Sequence, residues 1–158
     1  MQPMNGAQLH LLLNHFPILG TLFGLLLLAA SLWKKSEDLQ KAALICFLLV
    51  GLVAIPTYLT GEPAEEVVEH LPEVSEQIIE EHEDSALVSL IALELLAAAS
   101  LLGLLLFRRS HRVSSKMVVA CLTLSILALL MVSWTAYLGG QIRHTETRAG
   151  FQAAEEAD

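Results

Sequence analysis

Four long apolar stretches, Leu11–Trp33, Ala42–Leu59, Ala86–Phe107 and Met117–Leu138, alternate with polar or strongly charged connections along the chain. Each is close to the ~20 residues that a helix needs to cross a ~30 Å hydrocarbon core. Glu94 is the one charged residue inside them. A bilayer core has no water to satisfy backbone groups, so segments of this length and Leu/Ala content must be helices. The pattern predicts an all-α fold, an integral membrane up-down four-helix bundle with a short outer helix between helices 2 and 3. That domain covers residues 1–144, with spans of about 11–33, 42–61, 86–107 and 117–138. An acidic helical connection fills 62–85, and a polar tail follows over 145–158.

The chain has 158 residues, 54% hydrophobic and only 16% charged, which places it outside ordinary soluble domains. Seven of the nine Lys and Arg (Lys34, Lys35, Lys41, Arg108, Arg109, Arg112, Lys116) fall in or beside the first and third connections. By the positive-inside rule those connections face the cytoplasm, which makes both termini and the long second connection external. The expected location is the bacterial inner membrane, multi-pass, with the lipid bilayer as the first partner. Residues 61–85 carry ten acids and no Lys or Arg, so most of the net charge of −8 lies on the outer face. Such a surface repels phosphate, which excludes nucleic acid and disfavours anionic head groups there. The first stretch reads as a retained span, because Lys34 and Lys35 follow it and no Lys or Arg precedes it. Cys46 and Cys121 lie inside spans, where a free thiol behaves as a small hydrophobe.

Local signals refine the ends. Pro17 is placed in the first turn of the first span, with His15 at its entrance. Thr60-Gly61 reads as the stop of the second span, and Glu62-Pro63 as the start of an outer helix on which Glu62, Glu66 and His70 share a face. Leu71-Pro72 breaks the chain, and a new helix is expected from Glu73 through the third span, carrying Glu81 and His82 just outside the apolar run. Trp134 and Tyr137 form an interfacial belt, ahead of Gly139, Gly140, Arg143 and His144.

Five of the six histidines, His10, His15, His70, His82 and His144, therefore belong to the outer face, while His111 sits in a basic inner loop. In an up-down bundle His15, His82 and His144 arrive from three helices at one depth, the expected ligand layer. His10 and His70 stand behind them. Glu94, about 12 Å beyond Ala86 at ~1.5 Å per residue, is a buried ionisable candidate, either a proton-relay member or a neutral hydrogen-bond donor.

The combination of His10-x4-His15-Phe16-Pro17, Gly61 closing the second span, His82 opening the third, and Gly139-Gly140 before His144 resembles an uncharacterised bacterial domain-of-unknown-function family of predicted four-helix membrane proteins. The chain departs from that pattern in lacking a Pro after His10 and in the short step from Gly140 to His144. More broadly, helix-borne His in a four-helix plan is similar to transmembrane b-type cytochromes, a resemblance that implies His pairs ligating haem.

Three functions follow as alternatives. The first is a b-type haem (heme b) held by two of His10, His15, His82 and His144, with Gly20, Gly61, Gly139 and Gly140 leaving space and Arg143 pairing with a propionate. Such a protein would transfer electrons between membrane quinone and an outer redox partner. The second is a Zn, Fe or Cu site built from His15, His82 and His144 with Glu62, Glu66, His70 or Glu81 completing it. The third is a cofactor-free accessory subunit of a membrane complex or homo-oligomer. None commits the chain to a catalysed reaction. The haem reading expects two His facing across a gap, the metal reading three His around one point.

Overall fold

A computed structural model describes residues 5–110 and 113–150, and every regular element among them is helical. The order is α1 (Gly6–Leu13), α2 (His15–Lys34), α3 (Glu37–Leu59), α4 (Gly61–Val68), α5 (Glu76–Ser110) and α6 (Ser115–Arg143), followed by a single 3-10 turn over Thr145–Thr147. Four helical stretches, Gly6–Lys34, Glu37–Val68, Glu76–Arg109 and Ser115–Arg143, are long and apolar enough to cross a membrane. His111, expected in a basic loop, lies outside the described residues.

The helix ends follow local chemistry. Asn5 and Gln8 close a reciprocal capping box at the start of α1, with Asn5 Oδ1 accepting from the Gln8 N–H at 2.9 Å. Ser36 and Ser114 cap α3 and α6 through their hydroxyls. Lys35 ends α2 in the left-handed region (φ 52°).

Several boundaries differ from the sequence reading. The first helix starts at Gly6, well before Leu11, and only Asn14 interrupts it. The interruption falls where Pro17 has no N–H for the Leu13 carbonyl four residues back, so the proline bends a longer helix instead of starting a shorter one. α3 stops at Leu59, where Thr60-Gly61 signalled an end, but Thr60 keeps right-handed helical backbone (φ −89°, ψ −2°) and α4 follows after that one residue. α4 ends at Val68, so His70 lies beyond it and the expected Glu62–Glu66–His70 strip is not formed on one helix. α5 begins at Glu76, because Glu73 takes a left-handed φ of 66°. At 35 residues α5 is about 52 Å long, far more than a ~30 Å core needs, so its acidic first turns project beyond its apolar part. α6 continues through Gly139-Gly140 to Arg143.

α2 packs on α3, α3 on α5, α5 on α6, and α6 back on α2, while α1 lies across α4. Gly6 makes that last approach possible, since any side chain there would collide with the backbone and ring of Pro63. Between the long helices Leu28, Leu44, Phe47 and Leu96 are buried, with small and hydroxyl residues set among them. Thr21, Ser31, Ser89, Ser100 and Ser125 are buried, and a Cβ on Gly24 would stand 2.5 Å from the ring of wholly buried Phe47. Outward, Leu19, Phe23, Leu26, Leu49, Leu52, Leu95 and Leu130 are each more than half exposed. So many large apolar residues on the outside depart from the surface of a water-soluble protein.

Candidate functional site

The structure gathers two histidines at the end of the helices that carries the acidic connection, and they are His10 and His82. His10 is carried by α1, whose seat on α4 brings it over the α3–α4 junction. There its Nδ1 lies 3.1 Å from the Thr57 carbonyl and 3.2 Å from Thr60 Oγ1. His82 is carried by α5 and turned toward α6, with Nδ1 3.0 Å from the Thr135 carbonyl. The two rings stand edge to face, 85° apart, with centroids separated by 6.4 Å. Both are partly buried.

A carbonyl oxygen can only accept, so each Nδ1 carries the proton and donates it. Each neutral ring therefore keeps its lone pair on Nε2. Fixing one ring nitrogen on a backbone carbonyl orients an imidazole and leaves the other nitrogen for a ligand, as at metal-ligating histidines.

His82 is held firmly. Thr135, whose carbonyl receives its N–H, has its hydroxyl bonded to Ser85 Oγ at 2.6 Å and to Ser89 Oγ at 2.8 Å. His82, Ser85 and Ser89 recur at helical spacing on the face of α5 that meets α6. Gly139 completes the seat, since a Cβ there would stand 2.9 Å from His82 Cε1. Gly139 thus makes room for His82 itself, not for a flat ligand. Gly20 is likewise filled, by Val50 Cγ2, whereas Gly61 and Gly140 have nothing within 4 Å of where a Cβ would be.

The other expected ligands are elsewhere. His15 is exposed and its Nδ1 donates to the Leu11 carbonyl at 3.2 Å. His144 closes α6, exposed, with Nδ1 2.9 Å from Glu146 Oε1. That imidazole, together with a backbone N–H, holds the Glu146 carboxyl below the usual range. His70 faces Glu69 at 3.4 Å in the open. Glu62 and Glu66 are exposed, and Glu81 accepts from Gln77 at 2.9 Å. Among the described residues no group of three or more His, Cys, Asp or Glu is placed to hold a metal ion. The expected layer of His15, His82 and His144 is replaced by a pair, because α1 extends the first helix outward and delivers His10 instead of His15.

Arg143 is exposed, while Arg148 does what the sequence did not suggest. Its Nε donates to the Gln141 carbonyl, and one terminal nitrogen donates to the carbonyls of Ile142 and Glu73. It thereby ties the end of α6 to the connection before α5. Deep in α5, Glu94 stands near Gly51 of α3, and its Oε1 is buried without a hydrogen-bond partner.

No family model matches the chain, and no curated protein or solved structure is significantly similar to it.

Proposed function

We propose that the chain is a bacterial inner-membrane protein, an up-and-down bundle with its acidic end outside, that binds a b-type haem between His10 and His82 and serves in electron transfer. The membrane reading draws on the apolar outer surface, the hydroxyl residues buried between helices and the Lys/Arg bias of two connections. The tilted Trp134–Tyr137 pair, 5.4 Å between ring centroids, fits the outer interface.

The observation that carries the haem reading is the His10–His82 pair. Two imidazoles from separate helices, each with Nδ1 committed to a carbonyl, present two Nε2 ligands and no third. His10 and His82, with ring centroids 6.4 Å apart, would be the residues that hold the group. A pair of imidazoles would be enough to hold a haem, whereas a protein-bound Zn, Fe or Cu ion calls for three or four ligands. When bound, haem supplies one-electron chemistry. The chain's own part is to fix both rings through Thr57, Thr60 and Thr135 and to limit water at the pair.

The test is an absorption spectrum of detergent-purified protein from haem-replete cells, oxidised and then dithionite-reduced. A sharp Soret band with reduced α and β bands is expected. A featureless spectrum overturns the reading in favour of a cofactor-free subunit of a membrane complex.

A further inference from the structure

The seam between α5 and α6 opens into a groove of about 580 Å³, lined by Glu81, Asp84 and Val88 of α5 and by Leu130, Met131 and Trp134 of α6. Its polarity is sorted along its length. Ser85 and Ser89 both meet Thr135, which fixes the antiparallel register of the two helices. In that register Glu81 and Asp84 lie at the end nearer the acidic connection, Val88 is level with Trp134, and Leu130 and Met131 lie a turn deeper. The carboxylates have no cation from the chain. Glu81 accepts from the neutral Gln77 amide, and residues 61–85 contain no Lys or Arg. Arg148 is committed to three backbone carbonyls. Arg143 comes five residues after Leu138, another residue of the groove wall, and so points about 140° away from it around α6.

A groove with two carboxylates at one end and only apolar side chains at the other complements an amphiphile with a cationic head and a hydrocarbon tail. Trp134, between the two ends, adds a ring face that attracts a cation. An anionic phospholipid brings no cation and meets two like charges, and a free amine leaves the apolar part unfilled. We propose that the groove binds an aminophospholipid, phosphatidylethanolamine, with its ammonium between Glu81 and Asp84 and one acyl chain along Val88, Leu130 and Met131. This rests on the membrane reading and is independent of haem.

Trp134 is its own reporter, because Trp33→Phe, at a position 82% exposed, leaves it the single tryptophan. The full chain is placed in vesicles of equal parts phosphatidylethanolamine and phosphatidylglycerol, with bromine on the acyl chains of one lipid or the other. Bromine in contact with an indole quenches its fluorescence, and signals are taken relative to unbrominated vesicles, so quenching by any bound haem cancels. Brominated phosphatidylethanolamine is expected to quench Trp134 more strongly, corresponding to a preference of about threefold to tenfold, the scale of one or two interfacial ion pairs. Glu81→Gln/Asp84→Asn should erase that preference. Glu76→Gln/Glu80→Gln, which removes the same charge from positions outside the groove, should keep it. All four positions are exposed, so the fold is not at stake. Equal quenching by the two lipids, or a preference that survives Glu81→Gln/Asp84→Asn, overturns the site alone. Loss of the preference in Glu76→Gln/Glu80→Gln also overturns it, in favour of general surface charge. Absence of quenching by either lipid overturns the membrane reading and the site together.

Discussion

Gly139 lies directly against the His82 imidazole: a methyl group on residue 139 would stand 2.9 Å from Cε1 and 3.1 Å from Nδ1. The ring is trapped between that glycine and the Thr135 carbonyl one turn earlier on α6, so the two helices can approach only because residue 139 has no side chain. Gly139→Ala must displace the ring and break its hydrogen bond. An unpaired, partly buried N–H costs about 1–3 kcal/mol. The expected outcome is a lower melting temperature in detergent, followed by circular dichroism, together with loss of any cofactor signal. Gly140→Ala, with nothing within 4 Å, should melt like the parent. Equal melting of both variants would show that the ring is free to move.

The pair also separates the histidines by consequence. His10→Ala and His82→Ala should each remove the haem spectrum while leaving the protein inserted. His144→Ala and His15→Ala should leave the ferric spectrum as it is, since His144 is engaged with Glu146 and His15 with Leu11, both in exposed positions. Loss of the spectrum in His144→Ala would restore the three-helix ligand layer that the sequence suggested.

What the sequence shows plainly is the set of long helices, because unbroken apolar runs leave the backbone no other way to satisfy itself in lipid. It shows less well where they end. Pro17 is a local start signal and Thr60-Gly61 a local stop signal, yet the packing of α1 on α4 is a tertiary fact, and it decides that His10 and not His15 faces His82. Gly139 was legible as a close-approach position, but not which side chain would fill it. Arg148 gave no warning, since its three acceptors are backbone carbonyls brought together only by the fold. One signal was available for the Thr135 seat: Ser85 and Ser89 repeat at the spacing of His82, a polar face on an otherwise apolar helix.

That polar face gives an asymmetric expectation. Thr135→Val removes the hydroxyl that Ser85 and Ser89 both use and leaves two hydroxyls without it, Ser89 in a buried position. Each stranded group costs about 1–3 kcal/mol. Removing the serines instead, in Ser85→Ala/Ser89→Ala, leaves one hydroxyl that still donates to the Met131 carbonyl at 3.2 Å. The single Thr135 variant should therefore melt lower than the double serine variant, although it changes fewer atoms. The opposite order would mean that the serines act through packing and not through the hydrogen bonds.

Arg148 holds the end of α6 by geometry more than by charge. Its planar fork reaches the carbonyls of Gln141, Ile142 and Glu73 at 2.9, 3.1 and 2.9 Å, and the third of these belongs to a residue at a φ of 66°. A left-handed non-glycine residue costs roughly 1–2 kcal/mol, so the clamp offsets strain in the connection that starts α5. Arg148→Lys keeps the charge but cannot present donors along a fixed fork. It should therefore behave like Arg148→Ala, with faster amide hydrogen exchange at residues 69–76 and 141–148 and unchanged exchange in the rest of the four long helices. Adding Glu73→Gly, which adopts that φ without strain, should recover part of the protection at 69–76 but none at 141–148. Rescue of both segments by Lys would show that charge at the end of α6 is sufficient and that the fork is not the device.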